Sequence, residues 1–489
     1  SMGAAPAVSP THGTPAATPP HAAPAATPPH AAPATVVAIQ GAQAPIDLDE
    51  SIREALAANA GLQAERERRG ELKGLMTQAL STGLPTIDLN GTWLRSRDPS
   101  FAFDETFGGD GFGGDGSSAL DSLFGDMSFL PAAEDIPAQT YWRTSVNAHW
   151  ELSPSLIYNA VSAAGLGIER QELLVAEAEH RTTEAVMTAY YSVIKAGEYV
   201  AALDADLAAR KEFLDVTRRR FGLGLSTTLD TLRAAVSLAN LTPQRRRAAQ
   251  MLRDTGARLN ILMGRETLSP LAVYSGIPVE TDSIDPAGAA ARVHERPDIR
   301  QMDLFVGMLR KNRGAQKAAH QPSLSADASY GYVTRDLDEL TDKGHDSWSA
   351  SLTLKVPLFD GLLTKGKVQE TEASIRRVRY EYEEVLRQAR LEVLSLLGDL
   401  EAARANLSAS HLNMTAAEDA LRQMTLRYEL GKADYISVLH VQTERSLARR
   451  NLIQARNEVL TLTASLKRAL GFDPTVPLAE VSKSAEGRR

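Results

Sequence analysis

Few side chains in this 489-residue chain stand where chemistry would need them. His12, His21 and His30 recur every nine residues and offer three imidazoles to a metal, but the interval belongs to a Pro/Ala/Thr repeat that spaces everything else the same way. The run Gly108-Gly109-Asp110-Gly111-Phe112-Gly113-Gly114-Asp115-Gly116 is similar to calcium-binding Gly/Asp repeats. Its period is five rather than nine, so a flexible loop between strands is the better reading. Two arginine triplets, Arg218, Arg219 and Arg220, then Arg245, Arg246 and Arg247, read as solvated or inter-helix charges. There is no cysteine, hence no thiolate nucleophile, disulfide or cysteine metal site. No nucleophile–base pair, phosphate loop or metal-ligand spacing stands out. The chain therefore reads as a non-enzyme with no cofactor and no metal. A formal net charge of −8 argues against a nucleic-acid partner.

What the residues do show is a duplication. Phe221-Gly222-Leu223-Gly224 answers Tyr428-Glu429-Leu430-Gly431, an offset of 207 that also relates Leu259 to Leu466 and Met263-Gly264 to Leu470-Gly471. Upstream the offset is 237, with Ala60-Gly61-Leu62 on Pro297-Asp298-Ile299 and Pro85 on Pro322. The first copy thus carries about 30 extra residues between Trp93 and Trp142. The organisation expected is a disordered Pro/Ala/Thr-rich arm over 1–45, a first repeat over 46–264 and an equatorial linker over 265–289. A second repeat over 290–471 and a C-terminal tail over 472–489 complete it. The opening Ser1-Met2-Gly3 has the look of an expression scar, so a removed leader or lipid-bearing cysteine would leave no trace.

Val186, Val193, Val200, Leu207, Leu214 and Phe221 fall every seventh residue, as do Val393, Leu400, Leu407, Met414, Leu421 and Tyr428. Such a repeat calls for helices that supercoil left-handedly against neighbours. The helices it predicts, 158–220 and 365–427, are each about 63 residues, or roughly 95 Å. Helices 228–263 and 297–319 add to nearly the first one's length, and 435–470 with 60–81 to the second's. Each half is expected to be one long helix beside two stacked shorter ones. The seams are expected to become buried only when chains associate.

Four segments alternate strictly, about 86–96, 141–151, 323–333 and 348–357. Leu324, Ala326, Ala328, Tyr330 and Tyr332 oppose Ser325, Asp327 and Ser329; Trp348, Ala350, Leu352, Leu354 and Val356 oppose Ser349, Ser351, Thr353 and Lys355. In the first copy Ile87, Leu89 and Trp93 oppose Asp88, Asn90 and Thr92, and Trp142, Val146, Ala148 and Trp150 oppose Arg143, Asn147 and His149. Nine to eleven residues with one apolar face and terminal aromatics is a transmembrane β-strand pattern. Leu324, Tyr330, Trp348, Leu352, Leu354, Trp142 and Trp150 are the expected lipid-facing residues. No run of 18 apolar residues exists to make a spanning helix, so any insertion is as a barrel. Four strands cannot close, and an open edge cannot sit in lipid. Two chains would supply eight strands, three chains twelve, and larger assemblies more. The alternative is a soluble coiled-coil scaffold with a small sheet.

Val356-Pro357-Leu358-Phe359-Asp360-Gly361, Arg296-Pro297-Asp298, Leu223-Gly224-Leu225 and Leu430-Gly431-Lys432 resemble the TolC family of outer-membrane efflux proteins, from about Ile46 to Gly471. The resemblance implies a mainly α fold with a transmembrane β-barrel: a homotrimer whose 12 strands share one barrel above a periplasmic helical tunnel. It implies a passive exit duct for tripartite efflux or type I secretion, sited in the outer membrane. The implied partners are outer-membrane lipid, a periplasmic adaptor and an inner-membrane pump or ABC transporter. It casts Leu223, Gly224, Leu225, Ser226, Leu430, Gly431, Lys432 and Ala433 as adaptor-docking tips. Asp230 matches a family gate residue, whereas Ser437 and His440 stand where family members often place aspartates, and Ala433 where they place a base. An Asp230–Lys432 link is one expectation for the tips, against two separately solvated charges.

Overall fold

The computed structural model describes residues 36–39, 44–96, 138–335, 338 and 344–486. In chain order the elements are β1 (Val36–Ile39), α1 (Leu48–Ala58), α2 (Ala60–Ser81), β2 (Thr86–Ser96), β3 (Gln139–Leu152), α3 (Pro154–Gly222), α4 (Thr228–Leu262) and β4 (Leu271–Tyr274). They continue with α5 (Pro286–Arg292), α6 (Pro297–Ala318), β5 (Ser323–Thr334), β6 (Asp346–Lys355), α7 (Leu363–Glu429), α8 (Tyr435–Ala469) and α9 (Leu478–Glu486). Helices α3 and α7, 69 and 67 residues long, are the spine. Pro154 opens α3 at its first turn, where a missing N–H costs nothing.

The shorter helices stack on one another in a crossed order. Asn59, which caps α2, donates its side-chain amide to the Leu262 carbonyl at 3.0 Å, so α2 continues α4. Arg296, just before α6, donates to the Ala469 carbonyl at 3.3 Å, so α6 continues α8. The expected pairings, 228–263 with 297–319 and 435–470 with 60–81, are therefore exchanged. Helix α3 is flanked by α4 and α8 toward the hairpin turns and by α2 and α6 toward the sheet, while α7 packs on α8 and α6.

The heptad positions also face differently from the expectation. Val186, Val193, Val393 and Leu400 are already buried within one chain, Val186 and Val193 in a cluster with Leu259 and Leu460. Leu407 packs at the edge of a second cluster around Val393 and Leu466. Apolar side chains left outside include the heptad residue Phe221 on α3, Leu229, Leu232 and Val236 on α4, and Leu391, Leu394, Leu412 and Leu426 on α7.

The arm and the tail are shorter than their sequence composition suggests. Residues 36–39 pair antiparallel with β4, in register Val36↔Tyr274 to Ile39↔Leu271. The strand lies in notches: a Cβ on Gly197 would meet Val37 at 2.4 Å and one on Gly256 would meet Ile39 at 2.5 Å. The Tyr190 hydroxyl, fully buried beneath it, donates to the Ile46 carbonyl and accepts from the Tyr274 N–H, both at 3.0 Å. In the C-terminal segment, Leu478 and Val481 of α9 are buried in the equatorial core. The histidine repeat and the Gly/Asp loop lie outside the described residues.

Candidate functional site: the hairpin turns and the outward sheet face

Both long helices end in the same six-residue cap. Leu225 N–H donates to the Arg220 carbonyl and Gly224 N–H to that of Phe221; Lys432 N–H donates to Arg427 and Gly431 N–H to Tyr428. These are Schellman motifs, which need a left-handed residue at the fifth position. Gly224 and Gly431 supply it, at φ +72° and +71°. A Cβ on Gly224 would meet nothing within 4 Å, and one on Gly431 only the end of Arg220 at 4.0 Å. Backbone conformation alone thus selects glycine at both turns.

The return helices are capped with the same parts in exchanged places. Thr227 caps α4: its hydroxyl accepts the Asp230 N–H at 3.1 Å, and the Asp230 carboxylate accepts the Thr227 N–H at 3.1 Å, a closed capping box. At the positions 207 residues on, Asp434 is the cap and accepts the Ser437 N–H at 3.0 Å. The acid lost at Ser437 therefore reappears one turn earlier. Burial works against the Asp230 charge, but hydrogen bonds from Thr227 and Ser226 outweigh it and hold the carboxyl below its usual range. Hydrogen bonds from Ser437 do the same for Asp434. Within one chain the Asp230 carboxylate meets Thr227 and Ser226, not Lys432. His440 pairs along its own helix with Glu444 at 3.2 Å.

The two turns are tied together by residues that periodicity gave no reason to single out. Arg220 donates to the Glu429 carbonyl at 3.1 Å, and its guanidinium lies 4.8 Å from the Tyr428 ring centre. Phe213 packs on Tyr428 and Tyr435, with centroids 5.0 and 5.5 Å apart. Outside this clasp Leu223 is 74% exposed, and Leu225 and Leu430 are each 62% exposed. Ser226, Lys432 and Ala433 complete the turns. Above them α4 and α8 border a groove of about 930 Å³ floored by α3, with Leu229, Leu232, Val236 and Ile436 on its walls.

At the other end, the strands form one antiparallel sheet in the order β2-β3-β5-β6. The register puts every expected apolar residue on one face. Trp93 stands opposite Trp142, Ala326 opposite both Trp150 and Leu352, Tyr330 opposite Trp348, and Leu324 opposite Leu354. The reverse face carries Asp88, Asn147, His149, Asp327, Ser329 and Ser349. Trp348, Leu352 and Leu354 on β6 are two thirds or more exposed, Tyr330 is 51% and Trp150 38% exposed, while Leu324 and Trp142 are half-buried between neighbouring strands. From Trp150 to Trp142 is eight residues, about 27 Å of strand, enough for a hydrocarbon band between aromatic rims. Outer strands β2 and β6 each have one edge without a partner strand among the described residues.

A family model described as outer membrane efflux protein matches residues 292–472. The probable efflux pump outer membrane protein TtgC of Pseudomonas putida is 24% identical over 304 residues, 61% of this chain and 63% of that protein. Outer membrane protein OprJ of Pseudomonas aeruginosa is 25% identical over 288 residues, 58% of this chain and 60% of that one. The chain thus spans about three fifths of the length of these curated relatives. Among solved structures, the Campylobacter jejuni CmeC outer membrane channel superposes with a TM-score of 0.73 at 16% identity, covering 90% of this chain and 89% of that one. VceC from Vibrio cholerae gives 0.68 at 20% identity, covering 87% and 96%. Sequence match, sheet and paired long helices agree: residues 292–472 match the outer membrane efflux protein family, and the chain shares the fold of outer-membrane channels.

Proposed function

We propose that three copies of this chain form a passive exit duct in the bacterial outer membrane, with the long helices extending the barrel as a periplasmic tunnel. The observation that carries this is the sheet: one apolar face, one polar face and two edges without partner strands among the described residues. Edge-to-edge closure of three such sheets gives 12 strands with the apolar faces outward and the polar faces lining a lumen. The resemblance to the TolC family supports three rather than two. The relatives TtgC and OprJ, an efflux pump outer membrane protein and an outer membrane protein, support efflux as the process served.

The hairpin turns are the proposed docking end. Leu223, Gly224, Leu225 and Ser226 on one hairpin, with Leu430, Gly431, Lys432 and Ala433 on the other, present exposed apolar contacts on a rigid clasp to a periplasmic adaptor. Asp230, Ser437 and His440 stand in the first two turns of α4 and α8 and line the proposed gate. In this reading the duct is passive, and an inner-membrane pump coupled through the adaptor supplies the energy. The test is fractionation with transport: the chain should reside in the outer membrane, need detergent for extraction, and restore drug efflux to a strain deleted for it. A monodisperse chain in detergent-free buffer would support the soluble scaffold instead.

A further inference from the structure

Outside the sheet, strongly exposed apolar side chains gather where β6 gives way to α7. Leu358 is 89% exposed, Phe359 77%, Leu362 60% and Leu363 59%. Positions 348, 350, 352 and 354 make the apolar face of β6, and the alternation carries on through Val356 to Leu358, beyond the last paired residue Lys355. Closing the sheet against other copies satisfies backbone groups in the plane of the sheet and leaves this outward face uncovered.

The turn below holds two of these side chains out at a conformational cost. Leu363 N–H donates to the Asp360 carbonyl at 3.3 Å and Thr364 N–H to its carboxylate at 2.9 Å. The two residues between, Gly361 and Leu362, lie at φ +66° and +69°. Among the described residues Leu362 is the one non-glycine at positive φ. Glycine would adopt that conformation freely, whereas leucine is strained there, so folding of the turn gives no reason for an apolar side chain at this position. Lys365 and Lys367, at the start of α7, are also exposed. An apolar rim with cationic heads beside it matches the chemistry of a phospholipid interface.

We propose that this turn is a lipid anchor: Leu358, Phe359, Leu362 and Leu363 insert into the periplasm-side leaflet of the outer membrane, just below the barrel. The assignment rests on the barrel reading above. Because the chain has no cysteine, single cysteines can carry a nitroxide without background. Leu358→Cys and Phe359→Cys would be labelled, with Leu352→Cys as the lipid-face control and Thr353→Cys as the lumen control. Trimers would be reconstituted in phosphatidylethanolamine/phosphatidylglycerol vesicles. Labels at 358 and 359 should collide freely with oxygen and rarely with a water-soluble nickel chelate, as at 352. Chelate access like that at 353 would place the turn in water, and protection from both reagents would mean that a neighbouring copy covers it. Either result overturns the anchor. If the label at 352 itself reports water, the barrel reading falls instead.

Discussion

At the equator, Lys467 is 2% exposed and Arg296 5%, yet each charge meets carboxylates of its own chain. On the sheet, Trp348 and Leu352 are 73% and 70% exposed, and nothing among the described residues of their own chain covers them. The equator is complete in one chain. Arg468 lies 3.4, 2.5 and 3.0 Å from Glu177, Glu184 and Glu392, and Arg296 reaches Glu392 and Asp298 at 2.7 and 2.8 Å. Burial alone would lower the Arg296 pKa, but Asp298 and Glu392 outweigh it and keep the guanidinium charged. This network sits where α8 meets α6 and fixes the joint between them. In the proposed trimer the sheet is finished by other chains and by lipid. The contrast teaches which half of the fold a lone chain can stabilise by itself.

The sharpest way to break that contrast is to remove a charge from the joint. Arg296→Met should cost about 3–5 kcal/mol, because the buried end of the network is removed: Asp298 loses its ion pair and Glu392 keeps only Arg468. Chemical denaturation in detergent should show the loss, and adding Asp298→Asn should return part of it. The sheet should respond only in the assembled state. Leu352→Arg should lower the yield of heat-modifiable trimer by an amount worth about 2–4 kcal/mol, with Thr353→Arg nearly neutral. Equal effects would refute the facing of β6.

A smaller effect is expected at the turns. Gly224→Asp or Gly431→Asp forces a side chain into the left-handed region, at about 1–2 kcal/mol. Since a Cβ meets open space at Gly224, the barrel should assemble while cross-linking to the adaptor and efflux fail. Normal cross-linking in an assembled mutant would remove the docking role.

The smallest effect is a pH dependence of opposite sign at the equator and at the hairpin turns. Burial pushes the Glu177 carboxyl up, and the nearby Asp298 charge adds to it against Arg468 and Arg296. Its folded pKa lies above the unfolded one, so mild acidification from neutrality protonates the folded state first and relieves a cost. Asp230 and Asp434 have lowered values, so their contribution is present above the ordinary aspartate range and disappears as pH falls through the folded pKa. Thermal melts of Glu177→Gln should lose the gain between neutral and mildly acidic pH and keep the loss at strongly acidic pH.

The sheet was legible in the sequence because a period of two assigns each residue of a strand to a face, and the turns because glycine marks the left-handed positions. The stacking of the helices was not. Helices α2 and α6 both have 22 residues, and α4 and α8 both have 35, so length matching could not tell one partner from the other. The order is decided by Asn59 on Leu262 and Arg296 on Ala469, single contacts across long separations. The ion network escaped for the same reason, since its members come from α3, α6, α7 and α8. At the turns, comparing position by position hid the acid at Asp434, because the cap and its third residue exchange roles between repeats.

The central claim is that one chain's sheet is a third of a barrel. Native mass spectrometry of the detergent-extracted chain, released gradually from its micelle, tests it most directly. The account predicts a species of three chains that persists until the strands unfold and that Leu352→Arg depletes. A folded species of one chain carrying an intact four-stranded sheet would contradict it.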